Sequence, residues 1–421
     1  MSDVFSGSFA DRYAALTDRS GPFSADALSS AGLFLCGISA CVDARVEMHE
    51  IQPLLDGPPD TPAGRLASLL LSRAARGVGG EVRFDWPEGP AWLRERLRPR
   101  YALGGTGPQA AWVLGQFGVR SLVALEDRYA AMLRQMPDGV LLAERGTLKT
   151  ADQVLASGPH PPEIFIFEFT AGRAIGATVP TRSSRVIVRF GDRGIQHDGE
   201  FEAMSRRLAP SAAAGLLAGL NDEAADNVGA ASRHVFGLSR DWKAAGLATI
   251  HFELAGYASQ QAVEELLSHA RGAISSLGMS HSELLAMNPS MDHPMEALMA
   301  LGERLGLDRV CVHADTWAAA VTLNDPQEEE LALMAGCAIA SARAANGAPA
   351  RDIAISPAAE FHPLPFETPV RRGRWAFVAC ASPYLSQPVT TLGLGDSFTA
   401  GCLLILGRTR HASTGSSLQH A

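Results

Sequence analysis

Lysine is almost absent from this sequence. Of 36 lysines and arginines in 421 residues, only Lys149 and Lys243 are lysine. Any phosphate the protein handles must therefore be held mostly by arginine or by backbone N–H groups. Cysteine is sparse too. Cys36, Cys41, Cys311, Cys337, Cys380 and Cys402 lie mostly in apolar runs, and no C-x-x-C spacing occurs. Neither a zinc site nor a disulfide framework is indicated, and reduced, buried thiols in a cytoplasmic protein are the simpler expectation. Long apolar runs are missing as well. Residues 31–42 form the most apolar early stretch, about half the length a bilayer span needs, and read as a buried strand. Residues 1–30 are polar and lack a basic segment followed by an apolar one, so no signal peptide is expected. A formal net charge of −9 argues against nucleic acid or an anionic membrane as partner. The 47% hydrophobic content is enough to bury a sizeable core.

Short apolar runs alternate with stretches of helical period, the pattern of an α/β protein. Strands are predicted over residues 33–38, 121–124, 164–169, 185–190, 249–253, 309–313 and 375–380. Helices are predicted over 63–75, 108–117, 262–277, 295–305, 328–345 and 397–406, and the polar tail from residue 408 is expected to fray. Of the twelve histidines, His251 and His313 fall on strand ends and His160 and His293 beside prolines. No metal-ligand spacing relates them, so satisfied or exposed histidines are expected.

The informative segment is Thr390-Thr391-Leu392-Gly393-Leu394-Gly395-Asp396-Ser397-Phe398-Thr399-Ala400-Gly401. Two glycines alternate ahead of an Asp, and a helix of small apolar residues follows. Such a turn aims successive N–H groups and the positive end of a helix dipole at one point, which suits an anion. An Asp held there can take a proton from a hydroxyl while the turn stabilises a transferring phosphoryl group. An Asp before a helix can also be no more than an N-cap. The length of the run argues for the chemical role.

The run resembles the C-terminal signature of ribokinase-like sugar kinases, and the rest of the chain is similar to the ADP-dependent glucokinase/phosphofructokinase family. Four more segments carry the resemblance: Gly37-Ile38-Ser39-Ala40-Cys41-Val42-Asp43, Gly104-Gly105-Thr106-Gly107, His251-Phe252-Glu253 and residues 277–284. The resemblance implies a three-layer α/β core, with a mostly parallel sheet, over residues 1–42, 104–162 and 201–421. It also implies a smaller, discontinuous, β-containing lid over 43–103 and 163–200, whose closure keeps water from the phosphoryl group. Asp396 would be the general base, and the N–H groups of Gly393, Leu394 and Gly395 the anion hole. Glu253 and Glu283 would organise Mg²⁺, in part through waters. Asp43 would bind sugar hydroxyls beside the Gly104-Gly105 turn, and Arg185 would contact nucleotide phosphate. Glu81, about twenty residues before Gly104, matches the sugar-binding Glu of the glucokinase branch.

Three positions depart from the family pattern: Cys41, Thr106 and Ser280 each stand where an Asn is expected. Lost amides imply a different acceptor or a weakened activity. An unphosphorylated sugar or polyol is the expected acceptor; a phosphorylated one would call on Arg173, Arg182 or Arg189. ADP as donor is implied by resemblance alone, since composition and spacing suit ADP and ATP equally. An ATP-dependent ribokinase-type kinase and a catalytically weak sugar- or nucleotide-binding protein are the alternatives.

Overall fold

The computed structural model describes residues 7–17, 23–24, 28, 31–158, 163–192, 194–257, 259–288 and 293–415, with side chains as far as residue 408. His160 lies outside the described residues. The described strands are β1 (Phe34–Gly37), β2 (Cys41–Glu47), β3 (Gly80–Arg83), β4 (Arg100–Gly104), β5 (Ser121–Val123), β6 (Val140–Glu144), β7 (Thr147–Thr150), β8 (Ile164–Phe169), β9 (Ser184–Arg189), β10 (Ala214–Leu217), β11 (Ile250–Glu253), β12 (Ser276–Ser280), β13 (Arg309–His313), β14 (Trp317–Thr322), β15 (Val370–Arg372) and β16 (Trp375–Ala381).

Eleven of them form one sheet in the order β15-β16-β14-β13-β12-β11-β10-β1-β5-β6-β7. From β6 through β1 to β13 the strands run parallel; β7 at one edge and β14, β16 and β15 at the other are antiparallel. Every residue of β1, β10 and β11 is buried, because parallel strands are covered on both faces. Helices Thr106–Gln116, Pro326–Asn346 and Leu394–Gly415 cover one face. Helices Gly199–Leu208, Val228–Ala244, Gln260–Ala270 and Pro294–Leu305 cover the other. This is the three-layer α/β arrangement, with a mostly parallel sheet, expected from the sequence. None of the described helices is long and apolar enough to cross a membrane.

Two boundaries differ from expectation. The predicted helix 262–277 is two elements: it ends at Ala270, the chain turns at Gly272 (φ +73°), and β12 begins at Ser276. A buried parallel strand is continuously apolar, so its period merged with that of the preceding helix. The last helix begins at Leu394 and continues to Gly415, so much of the expected frayed tail is helical.

The other five strands form a second sheet, β3-β9-β8-β2-β4. Ala44, Val46, Phe165, Phe167, Val186 and Val188 pack on one side with helices Pro62–Ala75 and Gly89–Leu97. Side chains alternate along a strand, so Asp43, Arg45, Ile166, Glu168, Arg185, Ile187 and Arg189 occupy the opposite face.

The position of the last helix depends on small residues. A Cβ on Gly401 would lie 2.7 Å from the Cα of Gly336, and one on Gly336 would lie 2.6 Å from Phe398. Helices Pro326–Asn346 and Leu394–Gly415 therefore meet backbone to backbone. Arg309 anchors the first of them by pairing with Glu329 through Nε at 2.8 and 2.9 Å. Gly401→Ala is expected to cost about 1–3 kcal/mol, as overpacking does. A thermal midpoint equal to that of the parent protein would contradict this contact.

Candidate active site

Gly393 opens the turn with φ +69°, and Leu394 starts the helix, so its first-turn N–H groups are those an α-helix leaves without intrahelical partners. Asp396 sits in that first turn, where its carboxylate accepts a hydrogen bond from Thr106. Burial pushes the Asp396 carboxyl above the usual range; Arg343 and the Thr106 hydroxyl hold it partly back. Arg343 lies directly beneath the turn: a Cβ on Gly393 would overlap its Cζ.

Asp43 faces this turn from β2. The Cys41 thiol lies 3.5 Å from its Oδ1, and a Cβ on Gly104 would overlap the same oxygen. Gly105 has φ +88° and presses against the Ser39 carbonyl, so both glycines of this turn are required by close approach. Burial raises Asp43 to about 7, with the Asp396 charge adding to it and Cys41, Arg189 and Arg45 opposing. An acid of the small sheet and an acid of the last helix thus lie within electrostatic reach of each other.

Glu253 ends β11 and lies two residues from His251 on the same side of the strand. His251 Nε2 is 2.8 Å from Glu253 Oε2, and its Nδ1 is 2.8 Å from Ser276 Oγ. Thr399 donates to Oε2 at 3.1 Å, and His313 Nε2 lies 3.4 Å from Oε1. Burial opposes the charge on Glu253, yet the two histidines bring it down to about 2. Gly278 makes room, since a Cβ there would overlap Glu253 Oε2. Glu283 occupies the third position of helix His281–Met287, where its Oε2 accepts from the Ser280 N–H at 2.7 Å and Ser280 Oγ returns a capping bond. No group of three His, Cys, Asp or Glu side chains that could cage a metal occurs among the described residues.

Glu81 is held by Arg189 (Nε to Oε1, 2.5 Å) and by Asn221 (3.2 Å), while Arg189 also pairs with Asp222 at 2.5 Å. Arg182 pairs with Asp315, and Arg173 contacts His49 at 2.8 Å. Arg185, opposite Glu168 on β9, has a buried Nε without a hydrogen-bond partner.

The conserved region of the ADP-specific phosphofructokinase/glucokinase family matches residues 34–405. The chain belongs to this family. It is therefore an ADP-dependent sugar kinase by membership. Among solved structures, the kinase resembles a hypothetical ADP-dependent phosphofructokinase from Pyrococcus horikoshii OT3 at 18% identity and TM-score 0.70, covering 91% of this chain and 99% of that one. A phosphofructokinase from the same organism with AMP shares 18% identity at TM-score 0.69, covering 90% and 98%. An ADP-dependent kinase in complex with fructose-6-phosphate and ADPβS shares 16% identity at TM-score 0.71, covering 91% and 95%. At such identities these likenesses concern the fold alone. No curated protein sequence matches the kinase.

Sequence reasoning missed the contacts that tie the small sheet to the glycine turn. Glu168 accepts from Thr390 Oγ1 at 3.0 Å, from Thr391 N at 2.9 Å and from Thr391 Oγ1 at 3.2 Å. Arg45 pairs with Glu168 at 2.5 Å and donates to Thr390 Oγ1 at 2.9 Å. Leu392 then packs among Cys41, Ile164 and Ile166. Burial works against the Glu168 charge, but Arg45 and the threonine donors bring the carboxyl below its usual range. One signal was available: Glu168 is the sole charge in the otherwise apolar strand Ile164–Phe169. Glu168→Gln keeps the shape but loses the charge, so turnover of the kinase should fall about tenfold with little change in melting temperature. Unchanged turnover would show that this tie does not matter for the turn.

Proposed function

We propose that the kinase moves the β-phosphoryl group of ADP to a hydroxyl of an unphosphorylated sugar or polyol, releasing AMP. The observation carrying this reading is that Asp396, in the first turn after Gly393, acts electrostatically on Asp43 of the small sheet. Asp43 would accept hydrogen bonds from sugar hydroxyls, with Gly104 and Gly105 shaping the wall beside it. Asp396 would take the proton of the attacking hydroxyl as its oxygen bonds to phosphorus and the bond to the AMP oxygen breaks. The N–H groups of Gly393, Leu394 and Gly395 would balance charge on the phosphoryl oxygens. Arg185 supports a nucleotide-phosphate role through its partnerless buried Nε. The five-stranded sheet, residues 43–103 and 163–200, would be the lid that excludes water, and the rest the nucleotide-binding core.

Magnesium fits this site through its water shell and not as a caged ion. Three side chains already occupy Glu253, and Glu283 has one oxygen engaged by Ser280. Burial and the neighbouring Glu253 charge push Glu283 up, a strain that a cation relieves. Bound there, the ion would offset the negative charge of the diphosphate.

The acceptor is read as unphosphorylated because Arg189 is neutralised by Glu81 and Asp222, Arg182 by Asp315, and Arg173 rests on His49. Glu81, held by Arg189 and Asn221, would meet a sugar hydroxyl. The six cysteines are buried and free, which suits a cytoplasmic setting. A panel of sugars, polyols and sugar phosphates with ADP or ATP and magnesium tests donor and acceptor together. Turnover with sugar phosphates alone would overturn the acceptor assignment.

Two further outcomes are expected. Asp396→Asn should fold normally and lose turnover by several orders of magnitude; near-normal turnover would remove Asp396 as base. Asp43 is pushed to about 7 and must be ionised to accept hydrogen bonds from sugar hydroxyls, so kcat/KM should climb as pH rises through about 7. A flat profile from pH 6 to 8 would contradict it.

A further inference from the structure

Helix Pro326–Asn346 carries one arginine, Arg343, in its last turn, on a stretch otherwise made of Ala, Ser and Asn. Its side chain is 3% exposed. A guanidinium is costly to bury without a counter-charge. Among the described residues no carboxylate forms an ion pair with it. Its hydrogen bonds go instead to neutral groups: Nη2 to Gln109 Oε1 at 2.8 Å and Nη1 to Ser397 Oγ at 3.2 Å. The Nε is buried with no hydrogen-bond partner.

These neutral partners lead to both glycine turns. Ser397 Oγ donates to the Gly393 carbonyl at 2.8 Å, and Gln109 Nε2 donates to the Leu103 carbonyl, one residue before Gly104-Gly105. The Gly393 backbone rests on the guanidinium itself, at a distance no side chain would allow. One cation therefore props the donor-side turn and links it to the acceptor-side turn. Burial is the main force against its charge; Arg45 and Arg185 add to that from the small sheet, while Asp396 and Asp43 favour it. Those two acids are themselves pushed toward the neutral form, so their compensation is partial. Arg45 has Glu168 as partner.

We propose that Arg343 is a positioning residue for the β-phosphate of the nucleoside diphosphate: it fixes the Gly393 turn from beneath and supplies the charge that the phosphate balances. This rests on the reading of residues 393–395 as the anion hole. It acts through Gly393, Ser397 and Gln109 rather than by touching the nucleotide. The expected signature is specific, because AMP lacks the β-phosphate. A change in Arg343 should weaken ADP and leave AMP alone.

Calorimetric titration of the full chain with ADP and with AMP tests this. In Arg343→Gln the preference for ADP over AMP should drop about tenfold while AMP affinity stays within about twofold. Arg343→Lys, which retains the charge but not the planar fork, should recover part of the preference. Ser397→Ala, which cuts one of the two links, should lose a smaller part and serves if Arg343→Gln does not fold. An unchanged ADP-to-AMP ratio in the folded variants, or an equal loss for both nucleotides, would overturn the proposal. If the parent protein itself shows no preference for ADP over AMP, the anion-hole reading fails, and the proposal with it. If it shows the preference and the variants retain it, Arg343 alone is misassigned.

Discussion

The structure depends on where one helix begins. The N-terminus of helix Leu394–Gly415 is held from the side by Gly336 against Gly401, from below by Arg343, and from above by Glu168 and the small sheet. The holds act at successive points: Glu168 on Thr390 and Thr391 ahead of the turn, Arg343 under Gly393 and Ser397, and Gly336 on Gly401 further along the helix. Its Gly393 must accept a left-handed conformation and a guanidinium in place of a Cβ, so only glycine serves. An anion site made of backbone N–H groups has no side chain to adjust. If the Gly393 turn is such a site, as proposed, its geometry would be set by what presses on the backbone, and three elements press on it here.

A second constraint follows from burial. Asp43 and Glu253 are buried and Asp396 and Glu283 half-buried, and acids so placed resist ionisation unless donors reach them. The donors are notable for their identity. Cys41 approaches Asp43, Thr106 bonds Asp396, and Ser280 caps the helix that carries Glu283. These are the three positions at which the sequence resemblance implied an amide. Each replacement still supplies a hydrogen to its acid. What it lacks is the second donor and the carbonyl acceptor of an amide, so under the proposed function the change would fall on groups beyond the acid. Glu253 differs from the rest: two histidines and a threonine satisfy it, and it stays ionised.

Much of this architecture is legible in the order of the residues. Strand runs of four to seven buried residues and the Gly-x-Gly-Asp turn are local patterns, and they place β1, β8, β11, β13, β16 and Asp396. The helix over 262–277 fails for a local reason as well, since an apolar strand after a short turn has no period of its own to announce it. Arg343 and Glu168 escape because each is a lone charge in an apolar stretch. Such a charge marks an unusual environment, but only contacts 54 and 222 residues away in sequence, to Ser397 and Thr390, say what that environment is.

The scarcity of lysine therefore determined something definite by itself: phosphate would have to be met by backbone and arginine. The sequence also determined which turn could do so, because glycine spacing and helix onset are encoded in adjacent residues. It could not decide which arginines matter. Arg173, Arg182 and Arg189 look alike along the chain, yet each has a neighbour to engage it, while Arg343 and Arg185 keep a buried Nε without one. An arginine's availability depends on the carboxylates that tertiary folding brings within reach. That selection belongs to the three-dimensional structure alone.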